Sequence, residues 1–163
     1  MIDVTQLSRE ERALYNPAFT GLVVCRAVQG YEGQYGQACP VVVAVLSAVM
    51  AMQPSVRASL PRSTRSGLTR WLEESKHMRV LMAQNAGAVS AVIRPGLLLA
   101  LQTGMLTSND TLALSLRPKG LTSSVHGATE ESTAIQKASH MLGRWLPSTG
   151  SLSTVMSLLG VRP

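Results

Sequence analysis

Apolar residues recur at spacings of three and four along most of this chain, a period typical of amphipathic helices. In segment 17–29, for example, Phe19, Leu22 and Val23 share one face, with Arg26 at its border. Prolines and glycines mark the points where helical segments begin and end. The pattern predicts helices at residues 17–29, 40–52, 55–60, 76–92, 95–103, 130–146 and 151–159, and a further helix around Trp71.

Three segments depart from this period. Residues 41–46 are apolar at every position, which predicts a helix that is central to the fold. Residues 111–117 alternate leucine with smaller side chains, as expected of a half-buried strand, and residues 121–125 are predicted to pair back on it. Residues 30–37 carry three glycines, a composition that predicts a connecting loop.

The predicted fold class is mainly α: a single compact helical domain over residues 1–163 with a short β-hairpin. Residues 1–15 form an N-terminal arm or short helix, and residues 16–159 form the helical core with the hairpin near 111–125. The order of helix, helix and strand resembles the back half of a winged helix, in which the turn at 117–120 is the wing. The helix before the strand has no polar side chain until Gln102, so we expect its base-reading position to be buried.

Composition narrows the class of protein. The chain has 163 residues, of which 45% are hydrophobic and 15% charged, so it is not a disordered tail. Its longest apolar stretch, residues 41–52, is shorter than the roughly 20 residues that a membrane-spanning helix needs. No secretory signal is visible at the start. We therefore expect a cytoplasmic protein without a membrane partner.

The residues that could act in catalysis or bind a metal are few, and they are scattered along the chain. Cys25 and Cys39 lie among apolar neighbours, which favours buried reduced thiols over a disulfide or a metal site. His77, His126 and His140 are far apart and lack a recognised ligand spacing. We therefore expect no cofactor, no bound metal and no catalytic activity of this chain alone.

The charge balance points to a binding surface. The net charge is +6, and the cations are 12 Arg and 3 Lys. The arginine excess fits contacts with an acidic partner or nucleic acid, and it fits equally a GC-rich genome. A run of four arginines without an intervening acid is either a solvated face or a docking surface for acidic protein or phosphate. The candidate partner- or phosphate-binding residues are Arg57, Arg62, Arg65 and Arg70 of this run, with Arg117 and Lys119 of the later turn.

Several landmarks together resemble a known family. They are the Asn16-Pro17 helix start, the apolar helix opened by Pro40, the Arg57 to Leu60-Pro61 segment, the Trp71-Leu72 helix and the segment Leu101-Gln102-Thr103-Gly104-Met105-Leu106. Over residues 16–159 this order is similar to the middle components of bacterial ABC three-component systems, a group that includes Lamassu-type anti-phage defence complexes.

The resemblance implies a small non-catalytic subunit. Its partners would be an SMC-like ABC ATPase, which senses foreign or unusual DNA, and an effector subunit, often a nuclease. The middle subunit would bridge the two and help to keep the effector inactive, with DNA reached through the complex. The family has no shared catalytic residue to carry over.

A second hypothesis belongs to a different class. In it the chain is a winged-helix-like nucleic-acid-binding module whose six candidate cations contact phosphates. Affinity for duplex DNA would then fall with salt, with a slope of about −0.9 per phosphate contacted.

Overall fold

The computed structural model describes residues 8–161, so residues 1–7 of the predicted N-terminal arm lie outside the described residues. The fold is mainly α with a small antiparallel sheet, as predicted. The helices are α1 (Arg9–Leu14), α2 (Pro17–Tyr35), α3 (Val41–Met52), α4 (Pro54–Ser59), α5 (Leu68–Glu74), α6 (His77–Gln102), α7 (Glu130–Trp145) and α8 (Leu152–Leu159). The strands are β1 (Cys39–Pro40), β2 (Leu106–Ser108) and β3 (Ala113–Leu116), and a 3-10 turn, Leu146–Thr149, follows α7.

Helix α2 lies at the centre of the molecule and packs against α3, α6 and α7. It begins as the sequence predicts: the Asn16 side chain accepts a hydrogen bond from the Ala18 amide at 2.8 Å, and Pro17 occupies the first helical position. Helix α3 is also central, with nine of its twelve residues buried. Between them these two helices supply much of the hydrophobic core.

The prediction of a loop at residues 30–37 is wrong, because α2 continues through Gly30 and Gly33 to Tyr35. Tertiary contacts offset the low helix propensity of the glycines. Tyr31 is buried, and the Tyr35 hydroxyl donates to the carbonyl oxygen of Arg144 at 2.7 Å. The helix ends at Gly36, which adopts a left-handed conformation with φ +65°.

The prediction of a helix boundary at Pro95 is also wrong, because α6 is one helix of 26 residues with Pro95 inside it. Proline removes one helical hydrogen bond and normally costs about 3 kcal/mol in a helix interior. Here Pro95 and Ala91, whose carbonyl loses its donor, are both exposed, so water can reach that carbonyl. On the opposite face Ile93 and Gly96 are buried, which holds both halves of the helix in place.

The predicted strand is present, but its predicted partner is not. β3 pairs antiparallel with β2, which precedes it, and with β1, which follows α2, in the order β1-β3-β2. Residues 121–125 form no strand, so the hairpin lies at 106–116 and not at 111–125. Without a second strand after it, the turn at 117–120 is not the wing of a winged helix. The partner strands β1 and β2, of two and three residues, are too short to give a recognisable alternating pattern.

Two crossings of α2 bring backbones into direct contact. A Cβ atom at Gly30 would overlap the carbonyl oxygen of His140 in α7, and one at Gly143 would overlap the carbonyl oxygen of Ala27. On the α6 side a Cβ at Gly21 would lie 2.7 Å from the carbonyl oxygen of Gly96. Glycine is required at these positions because no side chain fits between the helices.

We predict opposite effects for two substitutions in α2. Gly30→Ala should lower the free energy of unfolding by about 2 kcal/mol, because the added methyl group forces α2 and α7 apart. Gly33→Ala, where a Cβ meets nothing within 4 Å, should raise it by about 1 kcal/mol through helix propensity. Urea denaturation of both variants measures the difference, and equal effects would show that the close crossing is not required.

Candidate functional site

The structure gives Arg57, the first candidate cation, a structural role. Its guanidinium donates to the carbonyl oxygen of Ala51 at 2.7 Å and forms an ion pair with Glu131. Only 10% of the side chain is exposed. Arg57 therefore connects the end of α3 to the first turn of α7, and the acid that opposes it comes from a segment 74 residues away.

Arg70, the last cation of the run, forms an exposed pair with Glu74. Their Nε and Oε1 atoms are 2.9 Å apart, and the side chains are 73% and 62% exposed. A surface pair of this (i, i+4) kind contributes only about 0.3–0.5 kcal/mol. The Arg70 guanidinium therefore remains accessible to a stronger acidic partner.

Arg62 and Arg65 are exposed on the loop between α4 and α5. Two buried tryptophans fix this loop: the Trp71 indole donates to Ser59 O at 2.7 Å, and the Trp145 indole donates to Ser66 O. The tryptophan rings pack edge to face with centroids 5.8 Å apart. Within residues 8–161 neither arginine forms an ion pair. We call Arg62 and Arg65, together with Arg70 in the first turn of α5, the basic loop.

Arg117 and Lys119 are exposed on the turn that follows β3. The Gly120 amide donates to Arg117 O at 2.9 Å to close the turn, in which Lys119 has φ +58°. Different elements therefore position these two cations and the basic loop. The winged-helix form of the nucleic-acid hypothesis places a wing at this turn, and residues 121–125 form no strand to complete one.

Arg26, a buried cation in the middle of α2, binds the backbone of the segment that follows this turn. It donates to Thr122 O at 2.6 Å and Ser124 O at 3.2 Å, and its Nε donates to Gln136 of α7 at 3.0 Å. Burial lowers the pKa of this guanidinium from its ordinary value. With Gln29 Oε1, which accepts at 2.8 Å, four carbonyl-type acceptors thus replace water around a charge that no carboxylate neutralises within the described residues.

Sequence reasoning placed Arg26 at the border of an apolar face and missed this role. A signal for it does exist in the sequence. Arg26 is the one charged residue within 17–31, and apolar residues precede and follow it, so a charge buried among them must find carbonyl partners elsewhere.

The described residues give little support for a nucleophilic or metal-binding site. Cys25 and Cys39 are free and buried, as predicted, and burial raises their thiol pKa values to about 11 and about 12. Such thiols are protonated at neutral pH and therefore poor nucleophiles. Within residues 8–161 no group of three or more His, Cys, Asp or Glu side chains is arranged to hold a metal ion.

A family model described as the ABC-three component (ABC-3C) system Middle Component 3 matches residues 4–163 of the chain. The chain belongs to this family. This match confirms the resemblance of the sequence to middle components of ABC three-component systems. No curated protein and no solved structure matches the chain. Across its described residues this middle component has no helix with the length and hydropathy required to cross a membrane.

We predict that Arg57 and Arg62 of this middle component differ in their effect on stability. Arg57→Ala should lower the free energy of unfolding by about 2 kcal/mol, because the Ala51 carbonyl and the Glu131 carboxylate lose a charged donor. Arg62→Ala, at an exposed loop position, should change it by less than about 0.5 kcal/mol. Denaturant titration measures both values, and a neutral Arg57→Ala would contradict the structural role.

Proposed function

We propose that this chain is the non-catalytic bridging subunit of a cytoplasmic Lamassu-type anti-phage defence complex. It connects an SMC-like ABC ATPase, which senses DNA, to an effector subunit of nuclease type and restrains that effector. The observation that carries the proposal is the family match over residues 4–163, because a middle component of a three-component system acts with two others.

The surface chemistry supports a binding role. In the basic loop, Arg62 and Arg65 lie between Ser59 and Ser66, whose carbonyl oxygens accept hydrogen bonds from buried tryptophans, and Arg70 lies on the adjoining helix α5. A rigid loop loses little conformational entropy on binding, and arginine pairs well with carboxylates. We propose that the basic loop contacts an acidic surface of one of the two partner subunits, and that Arg117 and Lys119 provide a second charged contact.

Co-purification tests the bridging role. A tagged copy is expressed with the other two components of its own system and passed over a size-exclusion column, and the proteins in the peak are identified by mass spectrometry. We expect one peak that contains all three proteins, and we expect the ATPase and the effector to separate when this subunit is omitted. A lone monomer that binds duplex DNA in a salt-dependent way would contradict bridging and support the nucleic-acid module.

Charge reversal tests the basic loop. The double variant Arg62→Glu, Arg65→Glu should weaken binding to one partner by about tenfold and leave the other partner bound, because each surface serves one subunit. Arg9→Glu, Lys137→Glu is the matched control, since it makes the same charge change at exposed positions of α1 and α7. Equal affinities of the two double variants, measured by titration with each purified partner, would exclude the basic loop from both contacts.

A further inference from the structure

An apolar groove of about 500 Å³ runs between α3, α6 and the end of α8. Val41, Val42 and Val45 of α3 line one side, Leu97 of α6 lines the other, and Met156 of α8 also lines it. Its volume lies within the range of about 300–1,000 Å³ that is typical of binding pockets.

The α3 side of the groove has no polar residue. Val41, Val42 and Val45 are the three residues of α3 that are not fully buried. Helices that face water normally carry polar or charged side chains on the exposed stripe. The composition of α3 is that of a helix covered on every side, whereas the described residues leave this stripe partly open. Something outside residues 8–161 would complete its cover.

Leu112 lies directly beside the first residue of this stripe. The Val41 amide donates to the Leu112 carbonyl oxygen at 3.0 Å. Leu112 is 66% exposed and has φ +56°, a left-handed conformation that leucine adopts only at a steric cost. Glycine or asparagine would form this turn more easily, so the turn alone does not account for a leucine here.

The turn around Leu112 is firmly held. The Asn109 side-chain oxygen accepts hydrogen bonds from the Thr111 amide at 3.0 Å and from the Ala113 amide at 2.9 Å. The leucine side chain is therefore presented to solvent from a fixed backbone. A large apolar side chain in this arrangement is suited to enter a pocket on another molecule.

One charged residue lines the groove. Arg94 of α6 is exposed and forms no ion pair with any acid within residues 8–161. An occupant with a carboxylate at this point would pair with it. The apolar floor and this single cation together define the chemistry of the occupant.

The length of the groove fits a helix. From Ala86 to Leu97 the groove follows α6 over twelve residues, a rise of roughly 16 Å at about 1.5 Å per residue. An amphipathic helix that contacts a groove through positions i, i+4 and i+7 needs roughly 10 Å at the same rise. The groove therefore accommodates the apolar face of two to three helical turns.

We propose that this groove, with Leu112 at its end, binds an amphipathic helix of another component of the ABC-three component system. The apolar face of that helix covers Val41, Val42 and Val45, and one of its carboxylates pairs with Arg94. The proposal rests on the proposed function in that the helix comes from a partner subunit.

Photo-crosslinking within the co-expressed complex identifies the occupant. Gly87 lines the groove, is exposed and has nothing within 4 Å of its Cβ position, so it is a suitable site for p-benzoylphenylalanine. Ala88, the next residue, is exposed and does not line the groove, and it serves as the matched control. We expect a crosslink from position 87, and none from position 88, to a partner segment with apolar residues at i, i+4 and i+7 and an acid between them.

Other crosslinks would overturn the proposal. A crosslink from position 87 to residues 162–163 would show that the chain covers its own groove. A crosslink to a second copy would show that the groove is a contact between identical subunits. No crosslink from an intact complex would show that the groove is unoccupied.

Two surface variants provide a second test. Leu112→Asn should retain or raise thermal stability, because asparagine tolerates the left-handed conformation, and should weaken binding of the crosslinked partner by about tenfold. Arg94→Glu should weaken it by a similar factor, with recovery when the partner carboxylate is changed to lysine. Lys137→Glu on α7 is the control and should not change the affinity. Unchanged affinity of both Leu112→Asn and Arg94→Glu would overturn the proposal.

These experiments test the groove assignment and the bridging role independently. If all three components co-purify but the groove variants bind normally, the groove assignment is wrong and bridging stands. If one partner alone binds and crosslinks through position 87, the groove assignment stands and bridging is wrong.

Discussion

The close contact of α2 with α6 and α7 is the constraint on which the rest of the structure depends. At both crossings the backbones touch without intervening side chains, through Gly21 and Gly96 on one side and through Gly30 and Gly143 on the other. The Ser139 hydroxyl adds a buried hydrogen bond to the carbonyl oxygen of Val23 at 2.7 Å across the α7 crossing. Because these helices approach so closely, α2 extends to Tyr35 and α6 continues past Pro95. Helix α3 then packs against all three.

This helical core also determines where the surface features lie. Helix α7 carries Glu131 at its start, where Arg57 fixes α4, and Trp145 at its end, where the basic loop is held. Helix α2 carries Arg26, which fixes the segment after β3. A buried guanidinium with four hydrogen bonds costs little net free energy only while every acceptor stays in position. Arg26 therefore couples the exposed segment to the packing of α2 and α7.

The two kinds of surface suit two kinds of contact. The basic loop presents solvated charge, which mainly increases association rates and selects acidic partners. The groove on α3 presents apolar area beside one cation, which suits a longer-lived contact with a helix. Different secondary-structure elements carry these two surfaces: the segment from the α4–α5 loop into α5 carries the arginines, and α3 with α6 carries the groove.

The sequence alone determined the helical class, the Asn16-Pro17 start, the buried α3 and the family, because these depend on local caps, periodic hydrophobicity and short landmarks. It also supplied the excess of cations, since charge is a property of composition. Only the tertiary structure decided that residues 30–35 are helical, that Pro95 lies within a helix and that β3 pairs with β1 and β2. It likewise separated Arg57 from Arg62 and placed Leu112 beside Val41. The physical reason is that each of these outcomes depends on a contact between residues distant in sequence, whose free energy exceeds the local preferences that the sequence displays.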